Sequence, residues 1–493
     1  MSATNIITSN SGAAWEIVSG LEVHCELATN TKLFCGCANH FGDEANTNVC
    51  PVCLGLPGSL PVLNEAAVEF ALRVGEAFHF EVPAASTFHR KNYFYPDMPK
   101  NFQTTQYDEP ICAGGWLEAG GVRIGITRAH LEEDTGKSTH VGGAGGRIHG
   151  ASHSLVDYNR AGVPLLEIVS EPDIRSAEQA AAYVDELRAT LKAIGVSDVK
   201  MEEGSLRVDA NVSVRRVGTT EFGTRCEIKN LNSIKSLRDA MDYEARRQID
   251  ILEDGGVIAQ ETRLWNENAG HTASMRSKEE AYDYRYFPEP DLVPIVPTDE
   301  LRALVLANMP ELPAARRARL IEAFGASEQD VRTLVSAEGL ADYAEAAVAL
   351  GVSPRDAVVW STQDVLAHVN NTGALVNTLD PATMREVLEL VNSGAISRNQ
   401  GREVFAIALA EGGRPADIVA DKGLAQVSDE GALGAVVDQV FAANADAVIA
   451  WREGDDKIRK KKRGFLMGES MKALQGQGNP QLLNQLLDAR LQE

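Results

Sequence analysis

Residues 130–137 read HLEEDTGK: three carboxylates in a row, Glu132, Glu133 and Asp134, then Gly136 and Lys137. An acidic turn facing water needs no partner, but the same cluster held in a cleft needs a cation beside it. Other acids favour the cleft. Glu167 sits inside the apolar run PLLEIV, where a short strand half-buries it and obliges it to find a positive partner. Glu22 and His24, two apart in GLEVH, share one face of a strand, from which both can reach a divalent metal. Asp209 and Asn211 share a face in the same way. Glu227, Lys229 and Asn230 follow, and Arg276, Lys278, Asp283, Arg285 and Asp291 come later. Strand-borne carboxylates with one imidazole and several cations suit Mg²⁺ and nucleotide phosphates better than zinc.

A second constellation is CxC…CxxC, made by Cys35, Cys37, Cys50 and Cys53. Two close pairs on turns match a tetrahedral four-thiolate zinc knuckle, which leaves no open coordination position and so is structural; the alternative is a set of buried free thiols. Cys25, Cys112 and Cys226 read as packing residues, and with seven cysteines in all no disulfide framework is expected. The segment 89–106 interleaves Arg90, Lys91 and Lys100 with Tyr93, Phe94, Tyr95 and Phe102, which suits either phosphates with stacked bases or a loop whose rings fill a core. No GxSxG elbow and no GxxxxGK[ST] loop accompany these residues, and GGAGGR at 142–147 lacks the strand–turn–helix context of a phosphate loop.

These side chains need a scaffold. A chain of 493 residues implies about two to four domains. WLEAGGVRIGIT (116–127) predicts a hairpin about Gly120-Gly121, and 205–217 pairs with 221–231 as a second. Helices are expected over 176–195 and 233–256, each opened by serine and closed by glycine. Four prolines in FPEPDLVPIVP (287–297) argue against helix or strand there and mark a boundary. Beyond it the period is helical, with a further break near 392–401. The expected fold is therefore α+β: a β-rich antiparallel cradle domain (1–295) followed by two all-helical domains (296–400 and 401–493). Net charge is −23, which argues against an indiscriminate nucleic-acid binder, yet KIRKKKR (457–463) offers a local basic element. No apolar run reaches the ~20 residues of a membrane span, and no signal peptide is visible, so a cytoplasmic protein is expected.

Taken together, GLEVH (20–24), HRKNYFYPDMPK (89–100), RAHLEEDTGKSTH (128–140), SLVDYNRAGVPLLEIVSEPDIRS (154–176), EIKNLNS (227–233), DYRYFPEPDL (283–292) and the tail GFLMGESMKALQGQGNPQLLNQLL (464–487) resemble the B-subunit family of bacterial aspartyl/glutamyl-tRNA(Asn/Gln) amidotransferases, the GatB/GatE family. The resemblance runs along essentially the whole chain. It implies a heterotrimer completed by an amidase (the A subunit) with a small third chain (the C subunit). It also implies binding of misacylated Glu-tRNA(Gln) or Asp-tRNA(Asn), and phosphorylation of the aminoacyl side-chain carboxylate with ATP and Mg²⁺. Ammonia from the amidase then displaces phosphate. The competing reading is a non-catalytic tRNA-binding scaffold. On this basis His24, Glu22, Glu133, Glu167 and Glu132 are expected to hold Mg²⁺, with Glu133, Glu167 and Lys91 at the chemistry. Lys137, Lys229, Asp209 and Arg160 are expected to serve the nucleotide, and Cys35, Cys37, Cys50 and Cys53 a structural Zn²⁺. Arg459, Lys460, Lys461, Lys462, Arg463 and Lys472 are expected to face the tRNA backbone. The Gly- and His-rich segment 141–153 is longer than the family's usual connection.

Overall fold

The computed structural model describes residues 6–143, 150–277, 281–425, 429–474 and 477–492, so Lys278, the side chain of Arg276 and part of the 141–153 segment lie outside the described residues. The chain forms two compact units, Met1–Leu312 and Pro313–Glu493.

The first unit is built on strands β1 (Ile7–Thr8), β2 (Ala14–Glu26), β3 (Phe88–Asn92), β4 (Phe102–Gln106), β5 (Cys112–Ala119), β6 (Val122–Glu133), β7 (Lys137–Val141), β8 (His153–Asp157), β9 (Pro164–Ser170), β10 (Leu206–Arg216), β11 (Cys226–Leu231), β12 (Glu261–Asn266), β13 (His271–Ser277) and β14 (Phe287–Pro288). Twelve of them make one sheet in the order β13-β12-β11-β10-β2-β9-β6-β4-β3-β14, with β1 on β2 and β5 on β6; β7 and β8 form a separate hairpin. The pairings are antiparallel except β11 with β12. The β5–β6 turn falls on Gly120 and Gly121 with φ of 59° and 76°, a pair of left-handed residues of the kind a two-residue hairpin turn requires.

Helices α1 (Glu65–Ala77), α2 (Ala177–Ala193), α3 (Ile234–Glu253) and α4 (Asp299–Ala307) complete the unit. Ser176 and Ser233 cap α2 and α3, their hydroxyls accepting from the amides of Gln179 and Ser236. Their apolar faces, such as Val184, Leu187 and Leu191 on α2, join Leu21, Val23, Leu131, Leu166 and Ile168 of the strands in one core. Each such side chain withdrawn from water contributes about 1.5–3 kcal/mol. Alternation along the strands therefore fixes which residues face away from this core.

The proline-rich segment differs from expectation. Phe287–Pro288 is a short strand pairing with His89 and Arg90, and Ile295 bridges Ser86. β14 is the end of the sheet, where a proline's missing N–H costs no ladder bond. The unit continues through α4, whose Val305 is buried in the same core.

The second unit is helical throughout its regular elements. One core gathers residues from Leu320 to Val419 around Trp360 and Phe405. Two smaller clusters follow from Leu433 to Leu491. Among the described residues no single helix is long and apolar enough to cross a membrane.

Candidate functional site

Four neighbouring strands align their polar residues in rows. The register sets Arg207 of β10 opposite His24 of β2, His24 opposite Glu167 of β9, and Glu167 opposite His130 of β6. The next row runs Glu26, Leu165, Glu132, Thr105. Because the side-chain period is two, His24, Glu132 and Glu167 face one side of the sheet while Val23, Leu131, Leu166 and Ile168 enter the core. One ligand atom from each of His24, Glu132 and Glu167 lies within 4.8 Å of the other two. His24 Nε2 is 3.7 Å from Glu132 Oε1 and 3.8 Å from Glu167 Oε2. His130 Nε2 approaches Glu167 at 3.2 Å, while its Nδ1 receives the Arg128 guanidinium at 3.4 Å.

The group opens on a cavity of about 450 Å³, whose lining includes Lys91, Asp134, Arg207, Asp209 and Lys229. Burial raises the Glu167 carboxyl, but the surrounding His130, His24 and Lys91 charges outweigh it and hold Glu167 well below the usual carboxylate range. Lys91 lies over the Tyr284 ring at 4.8 Å. Lys229 bonds Asp209 at 2.7 Å and Glu227 at 3.1 Å; burial opposes its charge, and these two acids restore it and push its pKa up. Arg207 donates to Asp134 at 2.8 Å. Next to that pair, Glu26 is raised to about 7, first by burial and then by the neighbouring Asp134 charge. Tyr107 and Tyr286 stack at 4.2 Å, and the Glu132 and Glu167 charges add to burial in raising the Tyr286 hydroxyl.

The donor set of one imidazole and two carboxylates fits a divalent cation. Mg²⁺ keeps several of its waters and asks the protein for only one or two carboxylates, which Glu132 and Glu167 provide.

Other expected residues stand apart. Glu133 is one residue out of phase with Glu132 and turns to the opposite face, where it pairs with Lys100 and accepts from the Thr104 amide at 2.8 Å. Glu22 is on the His24 face but is not one of the three converging donors; its Oε1 accepts from Asn211 at 2.8 Å. Lys137 is exposed at the start of β7 and does not line the cavity. Arg160 reaches the site only through Asp134, 3.4 Å away, and donates to the carbonyls of Thr135 and Gly136. In the tail, Lys460, Lys461 and Lys472 are exposed and Lys462 is half-buried on the helix Asp456–Ala473. Arg459 instead donates to the carbonyls of Trp451 and Arg452, and Arg463 grips both oxygens of Asp488 at 2.6 and 2.7 Å.

His130, Arg207 and Tyr286 escaped the sequence reading as site residues, and Asp134 stands in it only as part of the acidic cluster. The signal was present in HLEEDT: alternation puts His130, Glu132 and Asp134 on one side and Leu131 and Glu133 on the other.

The four cysteines also converge, their sulfurs within 4.8 Å of one another. Cys50 and Cys53 Sγ are 3.9 Å apart, close to the roughly 3.8 Å edge of a tetrahedron with ~2.3 Å metal–sulfur bonds. Cys53 is lowered to about 5, chiefly by the hydrogen bond from Cys35, with Lys32 assisting against burial. The cluster can hold a metal ion.

Comparison with known proteins gives the family. Residues 17–303 match the GatB/GatE catalytic domain and 342–491 match the GatB domain. The chain is 52% identical over 490 residues to the B subunit of the aspartyl/glutamyl-tRNA(Asn/Gln) amidotransferase of Frankia casuarinae, covering 97% of this chain and 96% of that one. The protein of the same name from Caldanaerobacter subterraneus is 49% identical over 483 residues, 97% and 99% of the two chains. That from Myxococcus xanthus is 48% identical over 480, or 96% and 98%. With 17–303 and 342–491 matched by its family models and near-full-length likeness to such relatives, the chain belongs to the GatB/GatE family.

Proposed function

We propose that this chain is the B subunit of an aspartyl/glutamyl-tRNA(Asn/Gln) amidotransferase, a glutamine-hydrolysing carbon–nitrogen ligase of protein biosynthesis. In this reading it binds misacylated tRNA and phosphorylates the side-chain carboxylate of the attached Glu or Asp. The observation that carries it is the convergence of His24, Glu132 and Glu167 on a cavity bordered by Lys91, Arg207 and Lys229.

A carboxylate is a poor acyl donor because its leaving group would be an oxide. Transfer of the γ-phosphoryl group of ATP to a carboxylate oxygen releases ADP and leaves an acyl phosphate. Ammonia from a partner amidase then attacks the acyl carbon, and phosphate departs with the bonding pair. The first step crowds a triphosphate against a carboxylate, so its cost is electrostatic. Mg²⁺ held by His24, Glu132 and Glu167 would supply positive charge against the transferring phosphoryl group. Lys91, steadied over Tyr284, stands beside Glu167 and offers its ammonium to phosphate oxygens. Arg207 and Lys229 each carry a carboxylate partner that fixes the cation at the cavity wall, so no reorganisation is needed when an anion enters. His130 orients Glu167 from the far side.

The four cysteines would hold a structural Zn²⁺, and a small C subunit would complete the heterotrimer in the cytoplasm. The tail from 401 onward would meet the tRNA through Lys460, Lys461, Lys462 and Lys472. Glu132→Ala or His24→Ala in the assembled enzyme should abolish ATP cleavage stimulated by Glu-tRNA(Gln) or Asp-tRNA(Asn), while glutamine hydrolysis by the partner stays measurable. Unchanged ATP turnover in either variant removes these residues from the site and the reading with them.

A further inference from the structure

Beside the four cysteines lies a lysine that the proposed reaction does not use. The side chain of Lys32 is fully buried, among the largest such side chains in the protein. Its ammonium donates to the Tyr158 carbonyl at 3.1 Å and to Cys53 Sγ at 3.8 Å. Among the described residues no carboxylate lies within ion-pairing distance of it; Glu133, whose Oε2 also stands near Gly162, is paired with Lys100. A buried ammonium without a carboxylate needs another anion. Four thiolates around a divalent ion carry a net charge of minus two, and they stand beside this lysine.

We propose that Lys32 is the built-in counter-cation of the four-cysteine metal centre, donating an N–H to Cys53 Sγ and thereby positioning that ligand. The inference rests on the reading of the cysteines as a zinc site. Geometry supports the positioning. The Lys32 backbone amide donates to the Cys37 carbonyl at 3.0 Å, so the residue holds both halves of the CxC…CxxC set. Its other partner, Tyr158, lies on the loop that returns to β9. On the same loop, Gly162 packs against the Lys32 stem and Cys53: a Cβ added there would sit 3.6 Å from each. Gly162 donates in turn to the Asp134 carbonyl and its own carbonyl accepts from Leu33. Lys32 therefore joins the metal loop to the chain segment that delivers Glu167. Hydrogen-bond partners of metal ligands are commonly worth about tenfold to hundredfold in metal affinity.

The test is made on the full chain loaded with Zn²⁺, or with Co²⁺ for spectroscopy. Lys32→Met, which keeps the volume and deletes the charge, should release zinc to a chelator at least tenfold faster than wild type and shift the sulfur-to-cobalt charge-transfer band. Cys35, Cys37, Cys50 and Cys53 all remain in that variant, so the change belongs to Lys32. Equal release rates and an unchanged band in a folded Lys32→Met protein would overturn the inference while leaving the zinc site standing. A wild-type chain that takes up no zinc instead overturns the four-thiolate reading. Where Lys32→Met does not fold, the wild type serves: Lys32 should resist amine acylation with zinc bound and become reactive when Cys53→Ser is made in the presence of zinc. Equal protection of Lys32 in the two proteins overturns the proposal.

Discussion

Glu132 and Glu133 are adjacent, both carboxylates and both nearly buried, yet their substitution by glutamine should give opposite phenotypes. Glu133 lies on the side of the sheet away from the cavity, with its side chain 3% exposed and its charge opposite Lys100, itself 12% exposed. Glu133→Gln leaves that ammonium without its anion. Breaking a buried pair costs about 3–5 kcal/mol. The glutamine oxygen can still accept from the Thr104 amide, and Lys100 keeps its donation to Thr104 Oγ1 and its place over the Phe102 ring, so the low end, about 3 kcal/mol, applies. For a unit of this size, Met1–Leu312, that lowers the melting temperature by roughly 5 °C. Glu132→Gln removes one of two carboxylates crowded together with, among the described residues, no lysine or arginine in ion-pairing distance, and the amide can still accept from Thr105 Oγ1. Melting without metal should move by less than about 2 °C, under ~1 kcal/mol. Its effect falls on metal binding, which should weaken by at least the tenfold or so that even a ligand's hydrogen-bond partner is worth. Thermal unfolding in chelator and Mn²⁺ titration followed by electron paramagnetic resonance measure the two quantities on the same samples. Loss of Mn²⁺ binding in Glu133→Gln with an unchanged melting point would refute the register on which the site is built.

Two further outcomes follow from named contacts. Glu26 is raised to about 7 in the folded chain from an ordinary value of 4.5, so folding takes up a proton between those values, and the stability this carboxyl lends below pH 4.5 is lost as pH rises through 7. Glu26→Gln mimics the protonated form; in metal-free protein it should melt higher than wild type at pH 8, with the gap closing near pH 5, and an equal gap at both pH values contradicts the assignment. In the tail, Lys460→Ala and Lys461→Ala should each weaken tRNA binding and reduce the slope of log K against log salt by about one, without changing melting. Arg463→Ala should instead lower stability by releasing Asp488. Filter-binding titrations over a salt series, paired with thermal unfolding, separate the two effects.

What could be read from the chain alone followed the range of the interactions. The caps at Ser176 and Ser233 and the Gly120-Gly121 turn are local, and each stands where its residues place it. The convergence of His24 with Glu167 was also legible, because an acid inside an apolar strand and an imidazole on another strand both needed a common partner. The choice between Glu132 and Glu133 was not, for it depends on which face of β6 meets the core, and that is decided by Leu131 packing against elements distant in sequence. Arg463 was expected to face the tRNA with the rest of its basic run; Asp488, its partner, is 25 residues away on another helix. The strand at Phe287–Pro288 was hidden by its proline, whose penalty vanishes at a sheet edge.

The charges around the cavity show why a cation belongs at one point of it and not elsewhere. Asp209 is matched by Lys229, and Asp134 by Arg207 with Arg160 behind it. Those acids are neutralised by fixed side chains and have little left to offer a metal. Glu132 and Glu167 have only the imidazoles of His24 and His130 within ion-pairing distance among the described residues, and Lys91 reaches Glu167 only through its field. Of the acids on this face, these two are the ones held close together, largely out of water, with imidazoles in place of lysine or arginine. Both imidazoles stand between the two carboxylates, but His130 Nδ1 accepts from Arg128, which puts the proton on its Nε2 and leaves His24 as the imidazole able to ligate. A divalent ion at that position would offset the repulsion of both acids at once. The same ion would stand on the cavity wall that Lys91, Arg207 and Lys229 make attractive to phosphate, so the site's own electrostatic deficit and the demand of phosphoryl transfer are met by one charge in one place.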